Sequence, residues 1–237
     1  MAAKLKELFL KRLAIVSFIF FVFFSPQITS AQQSVYCPIH KVSIRCKNAV
    51  VTELALNAIR KTYQFFRNLG YAQTYFLEIV FQKKVFVETR SGHFIRVFGK
   101  VGKHNRIYIT DWDEPWLKER NAYGLEMSRA LYESLIVHEA AHLIAEKIAG
   151  GNIGCKLSEY IAYVVQLSQM PSQMRQDLLN RCGQSAFKAE EIHLDIMLID
   201  PVVFAIKSYL HFKENQGRLL KKILSGAILM GPTSATP

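Results

Sequence analysis

Residues 132–145 read Tyr-Glu-Ser-Leu-Ile-Val-His-Glu-Ala-Ala-His-Leu-Ile-Ala, and no other stretch indicates the fold as strongly. Within it, His138 and His142 are four residues apart. Four residues turn an α-helix through about 400°, so both imidazoles leave one face, one turn apart. Leu131 and Leu135 lie on the same stripe. The stretch therefore predicts a helix that directs two histidines toward the interior of a fold.

Two imidazoles on one helical face can bind a single Zn²⁺ at about 2.0–2.1 Å each. Glu139 follows His138 directly and can reach a water on the metal without binding the metal itself. Zinc lowers the pKa of that water, and the carboxylate accepts its proton as the water attacks a carbonyl. The alternative is a core helix whose histidines bind nothing. The pattern H-E-x-x-H arises by accident roughly once in a hundred such sequences, which favours one Zn²⁺ per chain.

The flanking sequence predicts an α+β domain with the order helix, small sheet, helices. Apolar residues at helical spacing from Val51 to Leu69, followed by Gly70, predict the first helix. Next come β-rich runs separated by glycine, which predict antiparallel hairpins. The helical period returns from Leu125 and ends at Gly150. The predicted strands are 75–81, 85–87, 93–98 and 106–110, and the later helices are 157–169, 171–181, 201–212 and 217–224.

The H-E-x-x-H segment resembles the active-site helix of the zincin metallopeptidases, in which a small sheet lies over that helix. Metzincins require Gly and then His at fixed places after the motif, where this chain has Ala145 and Ile148. Gluzincins take a Glu from the following helix, and Glu159 opens the next predicted helix. The resemblance covers residues 138–169. It implies a zincin-like fold with a small antiparallel or mixed sheet packed on the H-E-x-x-H helix, followed by a helical C-terminal half.

The gluzincin resemblance also implies the residues of the site. Glu139 would be the general base and acid. A tyrosine on the next helix would donate to the oxyanion, with Tyr163 and Tyr160 as candidates and a core role as the alternative for both. The implied zinc ligands are His138, His142 and Glu159.

The third zinc ligand also has a geometric argument. The helix of His138 supplies only two ligands, because Glu146 lies about 6 Å further along the axis than His142. The glycines after residue 149 allow the chain to turn back, which brings Glu159 to the site early in the returning helix. His193 is the rival ligand, but two further segments must fold back to deliver it.

The N-terminus predicts export. A basic start precedes an apolar run from Leu13 to Phe24, and the small residues Thr29-Ser30-Ala31 suit a cleavage site. The run is short for a membrane span, which needs about 20 residues. We expect a signal peptide at 1–31, one metallohydrolase domain at 32–226 and a loose tail at 227–237. The protein would be periplasmic or secreted, and an uncleaved N-terminal anchor is the alternative.

The four cysteines follow the predicted signal, and an even number in an exported chain favours two disulfides. We expect neighbours in sequence to pair, as Cys37–Cys46 and Cys155–Cys182, although four cysteines allow three connectivities. Their spacings match no Cys-x-x-Cys zinc or redox pattern. The second bridge would tie the start of the Glu159 helix to a later helix.

The chain is basic, with a formal net charge of +11, and residues 83–106 carry seven Lys/Arg against the single acid Glu88. One interpretation is attraction of this basic hairpin to an anionic envelope surface, and the other is a solvated hairpin. No nucleic-acid motif accompanies the charge, so we expect no nucleic-acid partner. The oligomeric state stays open.

The resemblance implies hydrolysis of peptide bonds, with a polypeptide substrate that pairs with strand 106–110 as an edge strand. Two alternatives remain open. One is a zincin fold kept as a binding or scaffold module of the cell envelope, with little turnover. The other is a zinc amidase that acts on a cell-wall amide.

Overall fold

The structure, a computed structural model, describes residues 33–46, 48–89, 91–183, 185–188 and 191–228. The predicted signal segment, and residues 229–237 of the predicted tail, lie outside these ranges. The chain from Gln32 onward clusters into one compact unit.

The strands of the described residues form a five-stranded sheet and a separate two-stranded ribbon. They are β1 (Gln33–Cys37), β2 (Val42–Cys46), β3 (Leu77–Gln82), β4 (Val85–Glu88), β5 (Phe94–Val97), β6 (Gly99–Gly102) and β7 (Arg106–Thr110). The sheet order is β1-β2-β3-β7-β6. The β2–β3 and β3–β7 pairs are parallel, and β1–β2 and β6–β7 are antiparallel. The ribbon is the antiparallel pair β4–β5.

The helices of the described residues begin with α1 between β2 and β3, and the rest follow β7. They are α1 (Ala49–Asn68), α2 (Pro115–Lys118), α3 (Arg129–Ala149), α4 (Cys155–Gln169), α5 (Ser172–Cys182), α6 (Leu194–Ile199), α7 (Pro201–Glu214) and α8 (Arg218–Leu224). None of them is long and apolar enough to cross a bilayer. The protein is therefore an α+β protein with a small mixed sheet and a helical C-terminal half, as predicted.

The core lies between the sheet and the helices. Side chains alternate across a strand, so Ile79 of β3 and Ile107 and Ile109 of β7 share one face, and all three are fully buried. Helices α1 and α3 pack on the sheet and against each other. Helix α1 begins after Asn48, whose side chain accepts a hydrogen bond from the Val50 backbone N–H. The apolar stripe read from the sequence is thus the buried face of α1.

The sheet order corrects the prediction that strand 106–110 is a free edge. This strand is β7, and it is hydrogen-bonded to β3 on one side and to β6 on the other. The edge on this side of the sheet is β6, whose Gly99 and Gly102 lie within a strand and are not breaks between hairpins as predicted. Glycine inside a strand often marks close backbone approach to a neighbour, and the next subsection describes such an approach at Gly99.

The predicted Cys37–Cys46 disulfide is wrong, because the β1–β2 register separates the two residues. Cys37 lies opposite Val42, whereas Cys46 lies opposite Gln33 at the other end of the hairpin. Four residues along a strand amount to about 13 Å. Both cysteines are free thiols. The side chain of Cys182 lies outside the described residues, so the Cys155–Cys182 bridge stays a prediction.

The basic segment 83–106 forms two successive antiparallel units, the β4–β5 ribbon and the start of the β6–β7 hairpin. At the turn between β6 and β7, His104 and Asn105 both have φ of 58°. Because Gly102 lies opposite Arg106, residues 103–105 form a three-residue hairpin loop, and the chain reverses through these two left-handed residues. An interaction of the segment with an anionic surface stays a prediction.

Candidate metal centre

Three side chains converge where α3 packs against α4. His138 and His142 project from α3 and Glu159 from α4, with one ligand atom from each within 4.8 Å of the others. The two Nε2 atoms are 3.1 Å apart, and they lie 3.5 Å and 3.7 Å from the carboxylate oxygens of Glu159. Tetrahedral zinc with bonds of about 2.0–2.1 Å requires ligand atoms about 3.3 Å apart. The spacing therefore suits a single zinc ion.

The turn between the two helices brings Glu159 to the histidines. Helix α3 ends at Gly150, whose φ of 74° is left-handed, and Gly154 before α4 has φ of 75°. Glycine adopts these conformations without steric cost. The return places Glu159 opposite the two histidines.

A hydrogen-bond relay fixes the tautomer of His138. Its Nδ1 lies 3.1 Å from Gln166 Oε1, which also accepts from the Tyr123 hydroxyl at 2.7 Å. Gln166 Nε2 donates to Ser134 Oγ at 3.3 Å, and that hydroxyl donates to the Leu131 carbonyl at 2.8 Å. Because the carbonyl can only accept, the relay orients the amide with its oxygen toward His138. His138 therefore carries its proton on Nδ1 and keeps the Nε2 lone pair for a metal.

His142 has a matching partner on α4. Its Nδ1 lies 2.7 Å from the hydroxyl oxygen of Ser158, the residue before Glu159. The hydroxyl oxygen can accept a hydrogen bond from Nδ1–H, which leaves the Nε2 lone pair of His142 free to bind a metal. Two imidazole nitrogens and one carboxylate, each histidine held through its other nitrogen, form a donor set that fits zinc.

Burial and charge together set the protonation states at the centre. Burial lowers the pKa of His138, but the hydrogen bond and charge of Glu159 outweigh it, so the net shift is upward. Burial raises the pKa of Glu159, but the hydrogen bond and charge of His138 bring it below the usual value. Burial, with the nearby charge of His138, lowers the pKa of His142 to about 4. An ionised carboxylate and a neutral imidazole are the forms that bind a cation.

Glu139 lies directly under the edge strand. A Cβ placed at Gly99 of β6 would lie 2.8 Å from Glu139 Cγ and 2.9 Å from Ile109 Cδ1. Only glycine permits this approach of strand and helix. Burial, opposed by the charge of His138, raises the pKa of Glu139 to about 7. Glu139 can therefore exchange a proton near neutral pH.

Of the two candidate tyrosines, the structure brings only Tyr163 to the centre. Its ring packs edge-on against His138 with centroids 4.6 Å apart. Its hydroxyl has no hydrogen-bond partner among the described residues, and burial raises its pKa, so the group stays protonated. The Tyr160 hydroxyl instead lies 3.0 Å from His211 Nδ1 on α7, which makes Tyr160 a buried packing residue. The rival ligand His193 caps the N-terminus of α6, exposed and outside the triad.

A cleft of about 490 Å³ opens onto the triad. The upper wall contains Gly99, Lys100 and Val101 of β6, and the lower wall contains the segment from Gly154 to Glu159. The edge strand β6 therefore borders the cleft that contains Glu139 and the three candidate metal ligands.

The sequence analysis missed Gln166, Ser158, Tyr123 and Gly99. Helical spacing could have indicated Gln166, because it lies seven residues, about two turns, beyond Glu159 on the same face of α4. Nothing in the sequence indicates Tyr123, since it reaches Gln166 from a loop. Gly99 looks like a turn residue until the strand order is known.

The fold and the site define an α+β protein with a candidate His–His–Glu metal centre in an open cleft. The chain belongs to the DUF6639 family, a family of unknown function, which matches residues 42–232. No curated protein and no solved structure matches the chain.

Proposed function

We propose that this protein is an exported zinc metallopeptidase with a zincin-like fold of the gluzincin type. The observation that carries the proposal is the convergence of His138, His142 and Glu159 at the spacing of zinc ligands. The tautomer fixed through Gln166 supports it, because a histidine that served only packing would not need a defined Nε2 lone pair.

Zinc held by these three residues would supply a Lewis acid that polarises the scissile carbonyl and acidifies a water molecule. The neighbouring side chains supply the proton transfers. Glu139 follows a ligand in the chain and accepts the proton of the attacking water at its carboxylate, then delivers it to the leaving amine.

The Tyr163 hydroxyl is the proposed donor to the oxyanion. A donor aimed at a developing negative charge must be protonated and unengaged in the resting protein. Tyr163 meets both conditions, whereas Tyr160 is committed to His211. We expect Tyr163→Phe to lower kcat more than it weakens substrate binding.

The β6 edge is the proposed binding site for substrate backbone. An edge strand offers backbone N–H and C=O groups to an extended peptide, and β6 lies beside the cleft. The substrate would extend the sheet antiparallel or parallel to β6 and pass over Glu139. This assignment replaces β7, which is paired on both sides.

The decisive experiment uses residues 32–237, the compact unit, prepared as wild type and as Glu139→Gln. We expect wild type to bind about one zinc per chain and to cleave an unstructured polypeptide. Glu139→Gln should retain the zinc and lose nearly all cleavage, because the amide cannot accept a proton. Absence of zinc after reconstitution at neutral pH, or full activity of the variant, would contradict the proposal.

Export is proposed from the N-terminal sequence alone. We expect the mature protein to begin near Gln32 and to be found outside the cytoplasm. N-terminal sequencing of the protein from a fractionated native host tests this. A protein that retains residues 1–31 and stays with the membrane would instead be anchored.

A further inference from the structure

A second cavity adjoins the metal centre on the far side of Tyr163. Its volume is about 440 Å³, and Tyr163 forms part of its wall. The same ring packs against His138, so one side chain separates the cavity from the ligands. Val97 lines both this cavity and the metal cleft. A chain bound at the metal can therefore place a neighbouring group here.

Most of the cavity wall is apolar. Phe98, Met127, Leu135 and Val202 contribute to them from four different parts of the chain. The opposite end of the cleft differs, because the cavity there is lined by polar groups that include His104, Glu146 and Lys147. This asymmetry gives a bound chain a preferred direction, with its bulky apolar side chain on the Tyr163 side.

Positive charge lies in the wall of the apolar cavity. Two guanidinium groups pack on the Trp116 ring, with Arg96 Cζ 4.5 Å and Arg120 Cζ 5.0 Å from the ring centre. Arg96 is neutralised by Glu114 at 2.9 Å. Arg120 is exposed and has no acidic partner in the part of the chain that the structure describes. The stacked ring orients this guanidinium, which leaves its donors for an incoming anion.

A third arginine adds to the charge. Arg181 of α5 donates to the carbonyl of Gly124, a residue of the cavity wall, at 3.2 Å. The nearby acids Glu119 and Glu126 are exposed and do not line the cavity. Neither Arg120 nor Arg181 forms an ion pair among the residues that the structure describes, so both favour negative charge at this end of the cleft.

We infer that this cavity selects polypeptide segments in which a bulky apolar side chain lies beside a carboxylate, and that Arg120 binds the carboxylate. The inference rests on the proposed peptidase function and names its substrate class. The carboxylate can be an Asp or Glu side chain or the C-terminal carboxylate of the substrate, since a guanidinium binds either in the same way.

The test measures binding and cleavage separately. Fluorescent peptides carry Phe followed by Glu, Phe followed by Gln, Phe with a free C-terminus, or Phe with a C-terminal amide. Anisotropy with zinc-loaded Glu139→Gln gives Kd without turnover, and cleavage by wild type tests the proposed function. We expect at least one carboxylate peptide to bind about tenfold more tightly than its neutral counterpart, and the arm that shows this identifies the source.

Charge variants assign the preference to Arg120. In the Glu139→Gln background, Arg120→Met should remove the carboxylate preference, Arg120→Lys should retain most of it, and the exposed control Arg129→Met should change nothing. Replacing Phe in the peptide by Gly should weaken binding both to Glu139→Gln and to the double variant Glu139→Gln/Arg120→Met. Equal binding of charged and neutral peptides, or a preference that survives Arg120→Met, would overturn the inference. Peptide cleavage without such preference would leave the peptidase proposal standing.

Discussion

At the scale of single residues, Gln166 orients His138 through a network of buried hydrogen bonds. It is fully buried and links His138 to Ser134 and Tyr123. We expect Gln166→Leu to weaken zinc binding by about 10–100-fold, because His138 loses the acceptor that fixes its tautomer. Competition against a chromophoric chelator measures the affinity. Gln166→Glu should retain more affinity than Gln166→Leu, since its carboxylate still accepts from Nδ1. Equal loss in both variants would indicate a packing role alone.

The third ligand gives a second prediction at this scale. Glu159 places one carboxylate oxygen 3.5 Å from His138 Nε2 and the other 3.7 Å from His142 Nε2, whereas His193 is exposed at the start of α6. We expect Glu159→Ala to weaken zinc binding by more than about tenfold and His193→Ala to leave it unchanged. Isothermal titration with zinc distinguishes the two variants. A loss in His193→Ala alone would remove the protein from the gluzincin-like group.

The sequence predicted that His138, His142 and Glu159 lie together, because their placement depends on local geometry. The spacing of His138 and His142 fixes their common face on any helix, and Glu159 follows after one reversal. Gln166 and Ser158 were missed because a polar residue on an amphipathic helix looks the same whether it faces solvent or holds a ligand. Only the packing of α4 on α3 distinguishes these two cases.

At the scale of elements, strand β6 and helix α3 depend on each other through Gly99. A methyl group at Gly99 would lie 2.8 Å from Glu139 Cγ, which is closer than such atoms pack. We expect Gly99→Ala to displace the Glu139 carboxylate or the strand and to lower kcat/KM by about tenfold or more, while the zinc stays bound. Gly151→Ala is the matched control, because its new Cβ would meet no atom within 4 Å. We expect assays to show lower activity in Gly99→Ala than in Gly151→Ala, and metal analysis to show the same zinc content in both variants.

The elements themselves were predicted unevenly. Helices α1, α3, α4, α5, α7 and α8 were predicted, because helix formation leaves a local signal in the sequence. Strands β1, β2 and β6 were not predicted. The order of strands arises from pairing between distant segments, so neither the parallel pairing of β7 with β3 nor the edge position of β6 could be predicted from any single run of sequence.

At the scale of the whole molecule, the candidate metal centre joins helices α3 and α4 where the cleft opens between them and the sheet edge. A ligand that binds the folded state alone raises the free energy of unfolding by about 2.7 kcal/mol at 100 times its Kd. For a domain of this size that corresponds to a rise in Tm of about 5–10 °C. We expect zinc to produce such a rise in residues 32–237, a chelator to reverse it, and His142→Ala to abolish it. Scanning calorimetry measures all three.

The zinc-induced rise in Tm should also depend on pH, and the pKa values of the three proposed ligands determine that it shrinks as pH falls. Zinc competes with protons for the ligands. The pKa of His138 is raised above 6.5 by Glu159, so His138 is the first ligand to be protonated as pH falls. The pKa of His142 is about 4 and that of Glu159 is lowered, so both remain metal-competent to lower pH. The zinc-induced rise in Tm should therefore be complete above the raised pKa of His138 and shrink as pH falls through it.

Gln166→Leu should alter this dependence of the Tm rise on pH, whereas Arg129→Met should not. A zinc-induced rise that persists unchanged at pH values near the pKa of His142 would mean that the metal is held elsewhere.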